Sequence, residues 1–331
     1  QAMTANESKA AFAGPALIII LTLLAKITMH IHWQPAVSTS AFHAAHVLGE
    51  GFPVNNPARW QVMEQPVAAM RSFVQARPKA AGLLWRNLLG LSGSLASNFE
   101  LASAVLRKSV GPVDAAYDHS VRQLELIIDA LEQALASAFP EAQTELTGRG
   151  TLLKQEWETR GPGLLHSVGQ LTEEELLVEE ATVLLVLPIS VTGGGGAHLQ
   201  NNSVRIEAVL ADPIPFLPET VRLAWLLSQL QCDLPKFADV VPTERLEKVA
   251  NLALLPAVLQ AAQDVQWSSL TQQMVEQAIH AWRITGPDLL SADKTAEILM
   301  QWWTVYRSSH PRWGVALGAL DQMLSGGFQS V

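Results

Sequence analysis

The run Ala-Thr-Val-Leu-Leu-Val-Leu, from Ala181 to Leu187, restricts the fold more than any other stretch of the chain. It is short, continuous and rich in branched residues, the pattern of a buried strand. Pro188 follows it and marks a strand end or an edge, because proline brings no ladder donor. From Ser203 to Leu210 the pattern alternates, with Val204, Ile206, Ala208 and Leu210 against Arg205, Glu207 and Val209. That period of two predicts a second strand, antiparallel to the first. Between the two lie Gly193, Gly194, Gly195 and Gly196. Four residues without side chains can take unusual backbone angles. They match neither the phosphate-binding loop G-x-x-x-x-G-K-[ST] nor G-x-G-x-x-G, so the plain reading is a flexible hairpin or loop tip.

The rest of the sequence reads as helix. From Pro112 to Phe139 the apolar residues Val113, Tyr117, Val121, Leu124, Ile128, Leu131, Leu135 and Ala138 recur at steps of three and four. Pro112 suits a first helical position and Pro140 a stop. Similar patterns cover Trp60 to Ala76, Ala80 to Leu91 and Leu95 to Leu106. After Pro218 a helix to Leu230 buries Leu223, Leu226, Leu227 and Leu230. Helices are also predicted from Thr243, with Pro256 as a kink or split, over Asp293 to Ser308, and near Arg312 to Leu324. Two capping boxes are expected, Thr172 with Glu175 and Ser269 with Gln272. Gly161-Pro162-Gly163 reads as a rigid turn. The expected class is mainly α with a small β-hairpin or sheet (α+β), the helical N- and C-terminal regions flanking a short antiparallel β segment. Four segments follow: an apolar, histidine-rich stretch 1–58, a helical region 59–170, the β segment with its helix 171–235, and a helical region 236–331.

The first segment is the most unusual. Ala16 to Ala25 reads ALIIILTLLA, and with Ile27 to Trp33 it approaches the ~20 residues of a membrane-spanning helix. Residues 11–33 are therefore read as core, membrane anchor or signal. Past Lys26, Ile27, Met29, Ile31 and Trp33 alternate with Thr28, His30 and His32, which favours a half-buried strand. His30, His32, His43 and His46 are close in sequence. An H-x-H pair on a strand or an H-x-x-H pair on a helix aims both imidazoles one way, so the four could offer nitrogen ligands to zinc.

A net charge of −9, with no dense basic run, excludes an ordinary nucleic-acid binder. The single cysteine, Cys232, allows no internal disulfide and no cysteine-built zinc site. This fits a cytoplasmic location, with membrane association through residues 11–33 as the alternative. Ser190, His166, His198 and Asp212 can be arranged on paper as a triad, but no G-x-S-x-G elbow supports it and it is rejected.

A strand, a loop, an edge strand and a helix in this order resemble the centre of the zincin metallopeptidases, whose helix carries H-E-x-x-H. The matching stretch here is Pro218-Glu219-Thr220-Val221-Arg222. Only the glutamate agrees; proline and arginine stand at the two histidine positions. The resemblance implies a degenerate fold that has lost its zinc and kept a groove. Gly193, Gly194, Gly195, Gly196, Glu207, Glu219 and Arg222 are the candidate groove residues. Read without the resemblance, Glu219 complements its helix dipole and pairs with Arg222 three residues on. No convergent chemistry emerges, so the expectation is a non-enzymatic interaction or structural protein without a cofactor, whose partner is another protein or a second copy of itself.

Overall fold

Strand β1 (His30–Pro35) shows how the sequence pattern becomes structure. Ile31 and Trp33 are half-buried, whereas His30 and His32 are exposed on the opposite face with their rings 4.5 Å apart. The computed structural model describes residues 29–95, 97–111, 117–173, 177–209, 214–230, 232, 237, 239–284 and 290–326. Most of the 11–33 span, residues 11–28, lies outside the described residues. Its described end, from His30 to Trp33, is strand, so a helical anchor does not extend through it. No helix among the described residues is long and apolar enough to cross a membrane.

After β1 come α1 (Val37–Gly49), the short α2 (Pro57–Trp60), α3 (Glu64–Gln75), α4 (Ala81–Leu91), α5 (Asn98–Val110), α6 (Tyr117–Ala138) and α7 (Ala142–Leu171). Strands β2 (Glu180–Val186), β3 (Gly195–His198) and β4 (Ser203–Glu207) follow. The chain continues through α8 (Glu219–Ser228), α9 (Thr243–Asp264), α10 (Gln272–Ala281), α11 (Ala292–Ser309) and α12 (Trp313–Gly326). The protein is thus mainly helical with a small four-stranded mixed sheet, the α+β class expected.

The sheet order is β1-β2-β4-β3. β1 runs parallel to β2, and β2 parallel to β4, with Leu184 opposite Arg205. The antiparallel pairing expected between the second strand and the first is corrected here. The antiparallel partner of β4 is β3, which the glycines themselves begin. A tight turn over Leu199–Asn201, with Asn202 in the left-handed region, folds β3 back onto β4 as a hairpin.

Helices cover both faces. A Cβ on Gly93, just after α4, would meet Leu184, and one on Gly150 of α7 would meet Leu185. Neighbouring strand residues point to opposite faces, so α1 and α4 cover one face and α7 and α8 the other. This double cover is why β2 is continuously apolar. It also buries the polar side of β4, all five residues of which are buried.

Three local expectations change. Gly161-Pro162-Gly163 lies inside the thirty-residue helix α7 and makes no turn. Trp157 fills the space that a side chain on Gly161 would occupy, and the buried row Leu153, Trp157, Leu164, Leu165 and Val168 holds the helix through the proline. Thr172 ends α7, its amide and hydroxyl both donating to the Val168 carbonyl, while Glu175, its expected capping partner, lies outside the described residues. The α10 cap is Thr271, whose Oγ accepts from the Met274 amide, two residues past the expected Ser269. Pro256 likewise sits within a single α9.

Candidate functional site

At the carboxyl ends of the parallel strands β2 and β4, the glycine loop covers a set of buried charges. Open α/β sheets place ligands at such strand ends. Glu207, the last residue of β4, is fully buried. One oxygen, Oε1, accepts from His43 Nε2 and from the Ser190 hydroxyl, each at 2.7 Å. The other, Oε2, accepts from the Ile189 and Ser190 amides at 3.1 and 3.0 Å. Burial pushes this carboxyl up, but the hydrogen bonds from His43 and Ser190 and the nearby Arg222 more than offset it. The group is held below the usual carboxylate range, and Glu207 is ionised.

Three guanidiniums act on that one carboxylate. Arg205, two residues earlier and 6% exposed, shares its face of β4. Arg222 of α8, 2% exposed, forms an ion pair with Glu219 and donates to the Thr192 carbonyl at 3.4 Å. Arg283 is half-buried and lies over the Phe52 ring at 4.2 Å. Arg205 donates to His198 Nε2 at 3.1 Å and has no carboxylate within ion-pair distance among the described residues. Burial without such a partner lowers its pKa to about 10 despite the pull of Glu207. Burial also lowers His43, against the upward pull of its bond to Glu207, so the ring is neutral. His198 falls well below its ordinary value through burial and Arg205.

The glycines are required by these charges. A Cβ on Gly193 would run into the Arg222 guanidinium, and Gly193 has φ +76°. A Cβ on Gly194 would lie 2.5 Å from Glu207 Oε1, and one on Gly196 would lie 3.1 Å from Arg205 Nη2. One on Gly195 would lie 2.7 Å from the Arg205 carbonyl. The loop-tip reading is thereby corrected: the glycines are close-packed over the charges, and two of them are strand.

All seven candidate groove residues meet here, joined by Arg205, Ser190, His43, His198 and Arg283. The sequence reading missed Arg205 and Arg283 as members. The spacing Arg-x-Glu on a strand between apolar neighbours was the available signal for Arg205; Arg283 comes from a loop 76 residues past Glu207 and gave none. The four histidines go to separate partners: His30 and His32 to each other, His43 to Glu207, and His46 to the Trp85 ring at 5.0 Å. Among the described residues, no group of three or more His, Cys, Asp or Glu is placed to hold a metal ion.

The arrangement disfavours acid–base or nucleophilic work. An activated serine needs an imidazole between hydroxyl and acid, to take the proton. Here the carboxylate lies between Ser190 and His43, and Ser190 is fully buried. Glu219 is neutralised by Arg222, which stands at the second histidine position of the zincin motif. Comparisons with family models, curated proteins and solved structures find no match. The zincin likeness therefore rests on the strand and helix order and on Glu219 alone.

Proposed function

We propose that the chain is a non-enzymatic protein-binding module that takes up an extended segment of a partner along the outer edge of β3. Among the described residues no strand pairs with the outer edge of β3, and that open edge carries this reading. The Glu207 amide donates to the Gly194 carbonyl, so with this register the backbone groups of Gly194, Gly196 and His198 face β4. Those of Gly195 and Ala197 point outward. Gly195 is exposed, and Gly196 and Ala197 are half-exposed. An unpaired sheet edge offers main-chain hydrogen bonds to an added strand. The buried charges beneath hold that edge rigid, which lowers the ordering cost of binding.

Ala197→Pro is the direct test, because it deletes an outward amide and leaves the β4 ladder intact. Short random segments are displayed against the full chain, and the enriched ones are synthesised and titrated against both forms. The reading expects binding by the natural chain and at least about tenfold weaker binding by the variant, with the same thermal midpoint. Equal affinity for both forms, or no enriched segment, would overturn it.

A further inference from the structure

We infer that this edge selects an acidic segment, with an Asp or Glu opposite Gly196 whose carboxylate is received by Arg205. The inference rests on the β3 edge reading and specifies its ligand.

Side chains directly opposite one another on paired strands lie on the same face. Arg205 is opposite Gly196. An antiparallel segment added outside β3 would bond to Gly195 and Ala197, and its intervening residue would sit opposite Gly196. Three positions then form a row on one face: Arg205, Gly196 and the ligand residue. The middle position has no side chain, and the Arg205 Nη2 atom lies 3.1 Å from where its Cβ would be. The next strand is about 4.8 Å further out, within reach of a short acidic side chain directed back across the glycine.

The charge balance points the same way. Arg205, Arg222 and Arg283 face only Glu207 and Glu219, with His43 and His198 neutral, so the described cluster keeps one positive charge in excess. That excess falls on Arg205. Glu219 pairs with Arg222, while Glu207 has its oxygens filled by His43, Ser190 and the two amides. Among the described residues, the Arg205 Nε is buried with no hydrogen-bond partner, and the only bond from its guanidinium goes to a neutral ring. A guanidinium offers five donors, and a buried cation without a paired anion is costly. A ligand carboxylate supplies the missing anion, and the half-exposed Gly196 leaves the way to it open.

The test uses the enriched segments and the full chain. Each Asp or Glu of a bound segment is changed in turn to Asn or Gln, and affinities are measured for the natural chain, for Arg205→Met and for Gly196→Ala. Gly196→Ala keeps the arginine and fills the gap in the row, so it reports even if Arg205→Met fails to fold. One acidic position is expected to matter: its amide form binds the natural chain about tenfold or more weakly. That penalty should shrink towards none in both variants. Enriched segments without a fixed acid, or a penalty unchanged in the variants, would overturn the acidic preference. If Ala197→Pro still abolishes binding in that case, the edge reading stands alone. If Ala197→Pro binds as the natural chain does, both fall.

Discussion

Two buried histidines, His43 and His198, and the half-buried His46 give the protein an acid sensitivity that can be read residue by residue. Burial lowers His43 and His198, and it lowers His46 to about 3; Arg205 adds its charge against all three. In the unfolded chain each regains its ordinary value of 6.5. Below that pH the unfolded state binds protons that the folded state refuses, so stability falls as pH falls. Each histidine contributes a slope of about 1.4 kcal/mol per pH unit while its folded form stays neutral. The loss starts near pH 6.5 and for His46 continues until about 3. Glu207 adds to it lower down. Its carboxyl is depressed in the fold, so its contribution is complete above its ordinary 4.5 and disappears below that. Urea midpoints measured at about pH 7.5 and about pH 5.5 should drop steeply, and His46→Gln should reduce the drop. Equal midpoints at the two values would mean that these rings are not buried neutral.

Among the elements, α7 makes the most specific claim. The same substitution made two residues apart should have opposite effects. Gly161→Ala puts a methyl into the buried Trp157 ring, while the space around Gly163 is open and its residue exposed. The first should cost about 1–3 kcal/mol through overpacking. The second should gain up to about 1 kcal/mol from helix propensity. Thermal midpoints that move in the same direction for both would contradict a continuous helix through Pro162. This element also marks the limit of what the sequence reveals. Periodicity located the helices around Val121 to Leu135, Leu223 to Leu230 and Ala296 to Tyr306, because apolar spacing is a local property. Likewise the run at Ala181 and the spacing of Glu219 and Arg222 gave a true strand and a true ion pair. Gly-Pro-Gly misled, since its local preference for a turn is overridden by Trp157 packing into the space left by Gly161. The site was legible in its glycines and carboxylates, whereas its closure was not. His43 and Glu207 lie 164 residues apart, and only the sheet brings them to 2.7 Å.

At the scale of the whole molecule, the sheet has two unlike edges. On β1, the His30 amide donates to the Glu179 carbonyl and the Ala36 amide to the Leu185 carbonyl. Even-numbered residues therefore bond to β2, and the odd ones face outward. Pro35 is at an odd position, so its missing donor costs the ladder nothing and leaves one fewer group on that edge for another chain to pair with. Edge β3 (Gly-Gly-Ala-His) has no proline, and its outward positions are Gly195 and Ala197. Among the described residues, one edge of the sheet thus carries a proline at an outward position and the other carries none, an asymmetry that suits the admission of a strand on the β3 side. The same asymmetry makes proline a probe of both edges. His32 is exposed, but its amide lies in the β1–β2 ladder, nearly 150 residues from its partner strand in sequence. His32→Pro removes that donor and leaves a β2 carbonyl unmet, at a cost of about 1–3 kcal/mol. Ala197→Pro removes only an outward amide and should leave the midpoint of chemical denaturation nearly in place. A His32→Pro protein as stable as the natural one would show that β1 does not pair in this register. The guarded edge would then have to be sought elsewhere, whereas a selective loss at His32 leaves β3 as the edge available to a partner.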